Sequence, residues 1–347
     1  MIKDKSDCYV LEENFSSLHS YCRKRNCGLR WSSLFVLPSW LETWWEEFGS
    51  GFDLLLLTIH QENQVIGIAP LKIKGETASI IGSSDVSDFV DFITLSGSER
   101  EFFSCLFEYL LNKGISCLDI KHVHPESSIY RFFVDGAKKH RSEVHCKQDD
   151  VSLELDLPTC WDDYMAFLSG KQRHEVRRKI RRLQEAGSVN YRTISGSEEV
   201  ARLLNTFFWM FSESREDKER FLTTCRESFF RSMASKMAEQ GLLKIGLLEL
   251  NDKPVSIILF FDFQNKIYLY NSGYDPEYRH VSVGLILKIF CIKESIEKNK
   301  ITFDFLKGNE IYKYRLGARE VPLYHCQITI PTNINSNIFR PRGGYLN

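Results

Sequence analysis

The sequence has no long apolar run. Its most hydrophobic stretches, DLLLLTI and VSIILFF, fall far short of the roughly 20 residues a membrane-spanning helix needs. The first residues, MIKDKSDCYVLEENFSS, contain no apolar segment of the kind a secretory leader carries. None of the ten cysteines stands in a Cys-x-x-Cys spacing, which excludes the common zinc and dithiol motifs. Scattered and often inside apolar runs, they are expected to be small buried hydrophobes in a reducing compartment, and the protein is expected to be cytoplasmic. A net charge of −1 excludes a bulk electrostatic footprint for nucleic acid or anionic lipid, leaving room only for a local patch. No metal is expected: His122 and His124 would share one face of a strand, but no third ligand accompanies them in sequence.

What remains is an ordinary globular composition, 43% hydrophobic and 26% charged, over 347 residues. That length suits two domains of about 150 residues each. In the second half a strand at 188–194 precedes apolar residues spaced as helices at 197–212 and 226–239. Three strands follow, LLKIGLLEL, KPVSIILFFDF and KIYLYNSG, joined by the turn signals Asn251-Asp252 and Gln264-Asn265. A helix at 281–298, the strand ITFDFL, a short helix near Glu310 and a last strand PLYHCQITI complete the order.

The first half repeats that order more faintly: helix 39–48, the strands DLLLLTI, QVIGIAPLKI, TASIIG and FVDFITL, helix 99–112, the strand SCLDIKHV, a helical segment at 129–139 and a strand at 151–155. The expected architecture is therefore α/β (α+β), two tandem units each with a mixed, mostly antiparallel sheet flanked by helices. Leu157-Pro158 marks the boundary, giving units 1–157 and 158–330, and the Asn/Pro/Gly-rich 331–347 reads as a flexible tail.

Four segments carry candidate chemistry. Arg279-His280-Val281-Ser282-Val283-Gly284 places an arginine and small residues at the mouth of a helix, where free N–H groups and the helix dipole suit a pyrophosphate. Its spacing resembles the Q/R-x-x-G-x-G/A motif of GCN5-related N-acetyltransferases with Ser282 at a usual glycine; alternatively Ser282 is a plain N-cap. The segment KQRHEVRRKIRRLQEAG holds seven Lys/Arg within 171–182, a solvated helix face or, through residues such as Arg173 and Arg177, a clamp for a polyphosphate or a track for RNA. In SSDVSDFVDF, Asp88 and Asp91 either hold an amine or form turns. Finally, FDFLKGNEIYKYRLG ends a buried strand in a crowd of polar groups, including Asp304, Lys307, Glu310, Tyr312 and Lys313.

Taken together, KQRHEVRRKIRRLQEAGSVNY, YDPEYRHVSVGLIL and FDFLKGNEIYKYRLGA resemble the BioF2-like/CelD-like acetyltransferases of the GNAT superfamily, relatives of the FemAB peptidyltransferases. LPSWLETWWEEFG, VIGIAPL and DVSDFVDF fit the first half of the same family, so the resemblance spans about 31–331. Lys307 and Asn309 stand where arginine and aspartate are commoner, and the first unit lacks a phosphate loop.

The resemblance implies an acyltransferase with acyl-CoA or acetyl-CoA as donor and a small-molecule amine, such as an amino sugar in envelope or exopolysaccharide synthesis, as acceptor. An aminoacyl-tRNA donor is the alternative, with a non-catalytic binding protein of the same fold as a third. It further implies that the third hairpin strand and ITFDFL splay apart, setting Asn271 and Ser272 beside the donor. Asp304 or Glu310 would then act as base and Tyr312 as acid, with Asp88, Asp91, Lys307, Lys313, Arg173 and Arg177 toward substrate in a cleft between the units.

Overall fold

In the computed structural model, residues 8–24, 28–135 and 144–330 are described. In chain order they form β1 (Cys8–Glu12), α1 (Phe15–Arg23), β2 (Leu29–Arg30), α2 (Pro38–Phe48), β3 (Asp53–Gln61), β4 (Gln64–Lys74), β5 (Thr77–Ile80) and β6 (Ile93–Leu95). Next come α3 (Glu99–Asn112), β7 (Cys117–Val123), β8 (Val144–Asp156), α4 (Trp161–Phe167), α5 (Gly170–Ala186), β9 (Val189–Ile194), α6 (Ser197–Glu213), α7 (Glu216–Phe221) and α8 (Thr224–Glu239). The chain ends with β10 (Leu243–Leu250), β11 (Lys253–Phe263), β12 (Lys266–Tyr274), α9 (Val283–Glu297), β13 (Thr302–Lys307), α10 (Ile311–Arg315) and β14 (Arg319–Thr329).

The chain divides into two compact units. Unit 1 is Met1–Asp150 with Pro322–Asn347, and unit 2 is Val151–Val321. The division thus precedes the expected proline, because the second half of β8 already pairs with β13 of unit 2, from Thr302↔Asp156 to Lys307↔Ser152. The last strand, expected in the second unit, instead pairs antiparallel with β7 of unit 1, Tyr324↔Val123 through Thr329↔Cys117. The tail 331–347 lies outside the described residues, as does the part of the expected 129–139 helix beyond a π-helical turn at Tyr130–Asp135.

In unit 1, β3 and β4 form a hairpin over Glu62-Asn63, both left-handed (φ 48° and 68°), the backbone a two-residue hairpin turn needs. β4 pairs antiparallel with β5, and β5 runs parallel to β7. Unit 1 also contains a disulfide, Cys146–Cys326, which corrects the expectation of reduced cysteines. The partners lie 180 positions apart, so no local spacing announces them. Among the other described cysteines only Cys291 is buried as expected.

In unit 2, β10, β11 and β12 form an antiparallel meander with β9 on its outer edge, again over left-handed Asn251-Asp252 and Gln264-Asn265 turns. β12 runs parallel to β13. One face of the sheet carries α9, whose apolar Val283, Ile286, Leu287, Ile289, Ile292 and Ile296 are buried against Leu248, Val255, Ile258 and Leu269. Each such side chain contributes about 1.5–3 kcal/mol on removal from water. The other face carries α6 and α8 through Phe207, Phe211, Phe229 and Phe230. Gly273 permits this approach, since a Cβ there would lie 2.5 Å from the backbone of Met210 and Phe211.

Candidate active site

The parallel pairing of β12 with β13 covers Lys266↔Thr302, Ile267↔Phe303 and Tyr268↔Asp304 and then stops. Irregularities on both strands end it. On β12, Leu259 faces Asn271 while Phe260 faces Leu269, so Tyr270 is an extra residue that bends the strand. On β13, two residues between Asp304 and Lys307 oppose one on β8, and Leu306 is left-handed at φ 60°. Asp304 stabilises this kink: its Oδ1 accepts the Leu306 N–H at 2.7 Å and the Ser152 hydroxyl at 3.0 Å. Past Tyr268 the strands diverge, and half-buried Asn271 and Ser272 lie on the stretch that β13 no longer pairs.

The helix mouth lies next in sequence to β12. Asp275 caps a 3-10 turn, Pro276–Val281, by accepting the Glu277 N–H at 3.0 Å. Ser282 then adopts φ 61°, ψ 35°, and α9 starts at Val283. That conformation costs a non-glycine residue roughly 1–2 kcal/mol. The N–H groups of Leu285 and Ile286 return to the Ser282 carbonyl at 3.0 and 3.1 Å. Val283 and Gly284 are first-turn donors that an α-helix leaves unused, and no acidic residue occupies this turn.

Ser282 makes no side-chain cap; its hydroxyl accepts from Lys179 Nζ at 2.7 Å. Gly284 faces Tyr274, whose ring a Cβ would meet at 3.0 Å. Arg279 and His280 are exposed, the latter bonded through Nδ1 to the Glu277 carbonyl at 3.0 Å, while Val281 and Val283 are buried.

α5, the basic segment, packs against this turn and α9. Its Ser169–Gln172 capping box fixes the start. Glu175 pairs with Arg178 at 2.8 Å and with Lys179 at 3.3 Å. The residue that reaches the helix mouth is therefore Lys179, not the expected Arg173 or Arg177. Arg173 donates to the Met165 carbonyl at 3.2 Å and Arg177 is exposed. Lys179 is three residues after Val176, beside the buried stripe of Val176 and Leu183, and that spacing was the available signal.

Beyond β13 a polar cluster gathers. Lys313, only 2% exposed, donates to the carbonyls of Leu306, Lys307 and Gly308 at 3.0, 2.7 and 3.0 Å and pairs with Glu310 at 2.9 Å. Its partner is thus Glu310, and the half-buried Lys307 contributes a carbonyl to it. Burial pulls the Glu310 pKa up, but the charge and hydrogen bond of Lys313, with Arg215 beyond, outweigh it and leave the carboxyl below its usual value. Burial first, then Glu310, pushes the Tyr312 phenol well above its ordinary value. Arg215 is held by Asp217 in a bidentate pair at 2.9 and 2.7 Å.

Two lysines that the sequence reading passed over complete the cluster. Lys218 of α7 donates to the Ser272 carbonyl, and burial, then Arg215, lower its pKa to about 8. Lys288 of α9 donates to Ser272 Oγ and to the Gly284 carbonyl, each at 3.0 Å, and lies 5.1 Å from the centre of the Tyr312 ring.

Two expected substrate residues lie in unit 1. Asp88 is half-buried. Asp91 is enclosed by Ser32 Oγ at 3.1 Å, the Phe92 and Ser128 N–H groups at 2.9 Å and Ser128 Oγ at 2.6 Å, so its oxygens pin three chain segments together. His122 pairs with Asp149 at 3.6 Å. Among the described residues no group of three or more His, Cys, Asp or Glu could hold a metal, and no helix is long and apolar enough to cross a membrane.

No curated protein matches the chain. Among solved structures, FemX superposes with a TM-score of 0.60 at 12% identity, covering 92% of this chain and 96% of that one. A conserved protein of unknown function from Bacteroides thetaiotaomicron VPI-5482 gives 0.61 at 13% identity, covering 92% and 99%. At such identities the likeness is one of fold. Residues 170–314 match the family described as an acetyltransferase (GNAT) domain, and they span the diverging strands, the 279–284 turn and the polar cluster. Unit 2 accordingly carries a GNAT-type acetyltransferase domain, and the protein is an acyltransferase.

Proposed function

We propose that the protein moves an acyl group from acyl-CoA, acetyl-CoA included, to the primary amine of a small acceptor such as an amino sugar, as a member of the BioF2-like/CelD-like group. The observation that carries this reading is the divergence of β12 from β13 beside the unused N–H groups of Val283 and Gly284. A pyrophosphate bound there would meet two backbone donors and the Lys179 ammonium, which exchanges Ser282 for a phosphate oxygen. The thioester would then lie along the Asn271-Ser272 stretch of β12, where strand pairing no longer claims the edge.

The 304–313 block divides its work on this reading. Glu310, kept ionised by Lys313, supplies a counter-charge for the acceptor's ammonium. Tyr312, kept protonated by burial, donates to the departing thiolate. Asp304 and Lys313 build the kink and the loop that hold them.

Binding is the first test. CoA or acetyl-CoA at ~100 times its dissociation constant adds about 2.7 kcal/mol of stability, read as a rise in melting temperature. A screen of amines with thiol detection then identifies acceptors. If no acyl-CoA shifts melting and none releases thiol, the reading fails, and salt-sensitive binding of aminoacyl-tRNA along Lys171, Arg177, Arg181 and Arg182, all exposed on α5, replaces it.

A further inference from the structure

An acceptor ammonium must lose a proton before its nitrogen can attack a thioester, and neither carboxylate of the 304–313 block is placed to take it. Asp304 is 3% exposed and its Oδ1 is committed to Leu306 and Ser152. Glu310 is held below its usual pKa, which makes it a poor proton acceptor.

Lys288 is suited to the task. It stands one turn after Gly284 in an otherwise apolar stretch of α9, 8% exposed, with Nζ 3.0 Å from Ser272 Oγ. Ser272 in turn lies on the diverging part of β12, half-buried, where the thioester would lie. Among the described residues no carboxylate is in ion-pair contact with Lys288. The titratable groups around it are Lys218 of α7, Lys313 of α10 and Glu310 just before α10, with Cys291 on its own helix. Burial first, then Lys218, lowers its pKa to about 7, with Lys313 acting the same way and Cys291 and Glu310 opposing. A substantial fraction is therefore the free amine at neutral pH.

Resting on the acyltransferase reading above, we propose that Lys288 removes the acceptor's proton through the hydroxyl of Ser272. The ammonium proton passes to Ser272 Oγ as the hydroxyl proton passes to Lys288 Nζ. The freed nitrogen then forms its bond to the acyl carbon and the carbon–sulfur bond breaks, the thiolate taking the Tyr312 proton as the phenol oxygen takes the second proton from the new amide nitrogen. The Lys288 ammonium gives its proton to solvent, which restores both groups and leaves a net release of one proton. Ser272 touches the substrate; Lys288 acts through it as a positioning and proton-accepting group.

The test has two parts. NMR titration of lysine Nζ signals, with the Lys288 signal assigned by its loss in Lys288→Met, should show it titrating near pH 7. Titration in the ordinary lysine range overturns the proposal without any acceptor. Thiol release from acetyl-CoA is then measured with glucosamine, an ammonium at neutral pH, and with hydroxylamine, which is already neutral. Lys288→Met and Ser272→Ala should each lose on the order of 100-fold or more with glucosamine and only a few-fold with hydroxylamine. They should also lose the neutral-range limb of the kcat/KM profile, which Lys288→Arg does not restore. Equal losses with both amines, or an unchanged pH profile, overturn the relay while leaving the transferase standing. A wild-type protein that releases thiol with neither these amines nor any of the screen overturns the transferase reading, and the relay with it.

Discussion

The two units share a topology and part at one helix turn. In unit 1 the meander β3–β4–β5 leads through α3 to β7, parallel to β5, with β14 antiparallel beside it. In unit 2 the meander β10–β11–β12 leads through α9 to β13, parallel to β12, with β8 antiparallel beside it. Yet α3 opens with Glu99 and Glu101 in its first turn, and Glu99 turns back to accept the Gly97 N–H at 2.8 Å. α9 opens with a left-handed serine, no acid and a lysine above it. Acidic side chains oppose an anion at the first helix, and none stands in the first turn of the second.

The units also use their sheltered lysines differently, the half-buried Lys72 and the buried Lys288. Lys72 of unit 1 lies 4.2 and 5.0 Å from the rings of Trp44 and Phe52 beside a cavity of about 280 Å³ and is spent on the Gly82 carbonyl. Lys288 of unit 2 meets a half-buried hydroxyl. A shared fold therefore does not give a shared chemistry.

The comparison can be broken in several places. The largest effect is expected from Lys313→Met, which strips three carbonyls and Glu310 of their partner. Urea unfolding should show a loss of about 3 kcal/mol, and a loss below about 1 would mean that the loop after β13 holds itself. Gly284→Glu transplants the acidic first turn of α3 onto α9 and presses a Cβ on Tyr274. Calorimetry should show CoA affinity falling about 30-fold, equivalent to roughly 2 kcal/mol, whereas Glu99→Gln leaves it unchanged.

Lys288→Met should raise stability by about 1–2 kcal/mol, since an apolar chain replaces a charge held out of water. Because the Lys288 pKa falls from 10.5 to about 7 on folding, the unfolded chain holds the extra proton between those values. Stability contributed at this position therefore declines as pH falls from 10.5 toward 7 and is level below, and denaturation at several pH values should find that slope gone in the variant. The smallest effect belongs to Arg177→Ala. Exposed on α5, it should change neither stability nor CoA affinity by more than about 0.5 kcal/mol, and a tenfold loss of affinity would move the donor's phosphates along α5.

Most of unit 2 was legible in the sequence because its signals are local. Alternating and continuous apolar runs, Asn-Asp and Gln-Asn turns, and the apolar helix after Ser282 each reveal themselves within a dozen residues. Partnerships across long separations were not. The Cys146–Cys326 bond, the pairing of β14 with β7 and the Lys179–Ser282 contact join residues 103 to 212 positions apart, and spacing carries no trace of them. Lys288 was missed for a different reason. A lone lysine in GLILKIFC reads as a helix position whose head reaches water, and only the fold reveals that its head meets β12 instead. Asp304 illustrates the converse, a carboxylate prominent in the motif whose hydrogen bonds are spent on a backbone kink.

The membership of β14 in unit 1 bears on how the chain matures on the ribosome. Unit 2 is contiguous, Val151–Val321, and every strand it uses precedes the Pro322–Thr329 stretch in the order of synthesis. Unit 1 begins to be synthesised first yet lacks the partner of β7 until Pro322–Thr329 appear. The nascent N-terminal portion must therefore wait with an open sheet edge, exposed to mispairing, while the transferase domain behind it can already close.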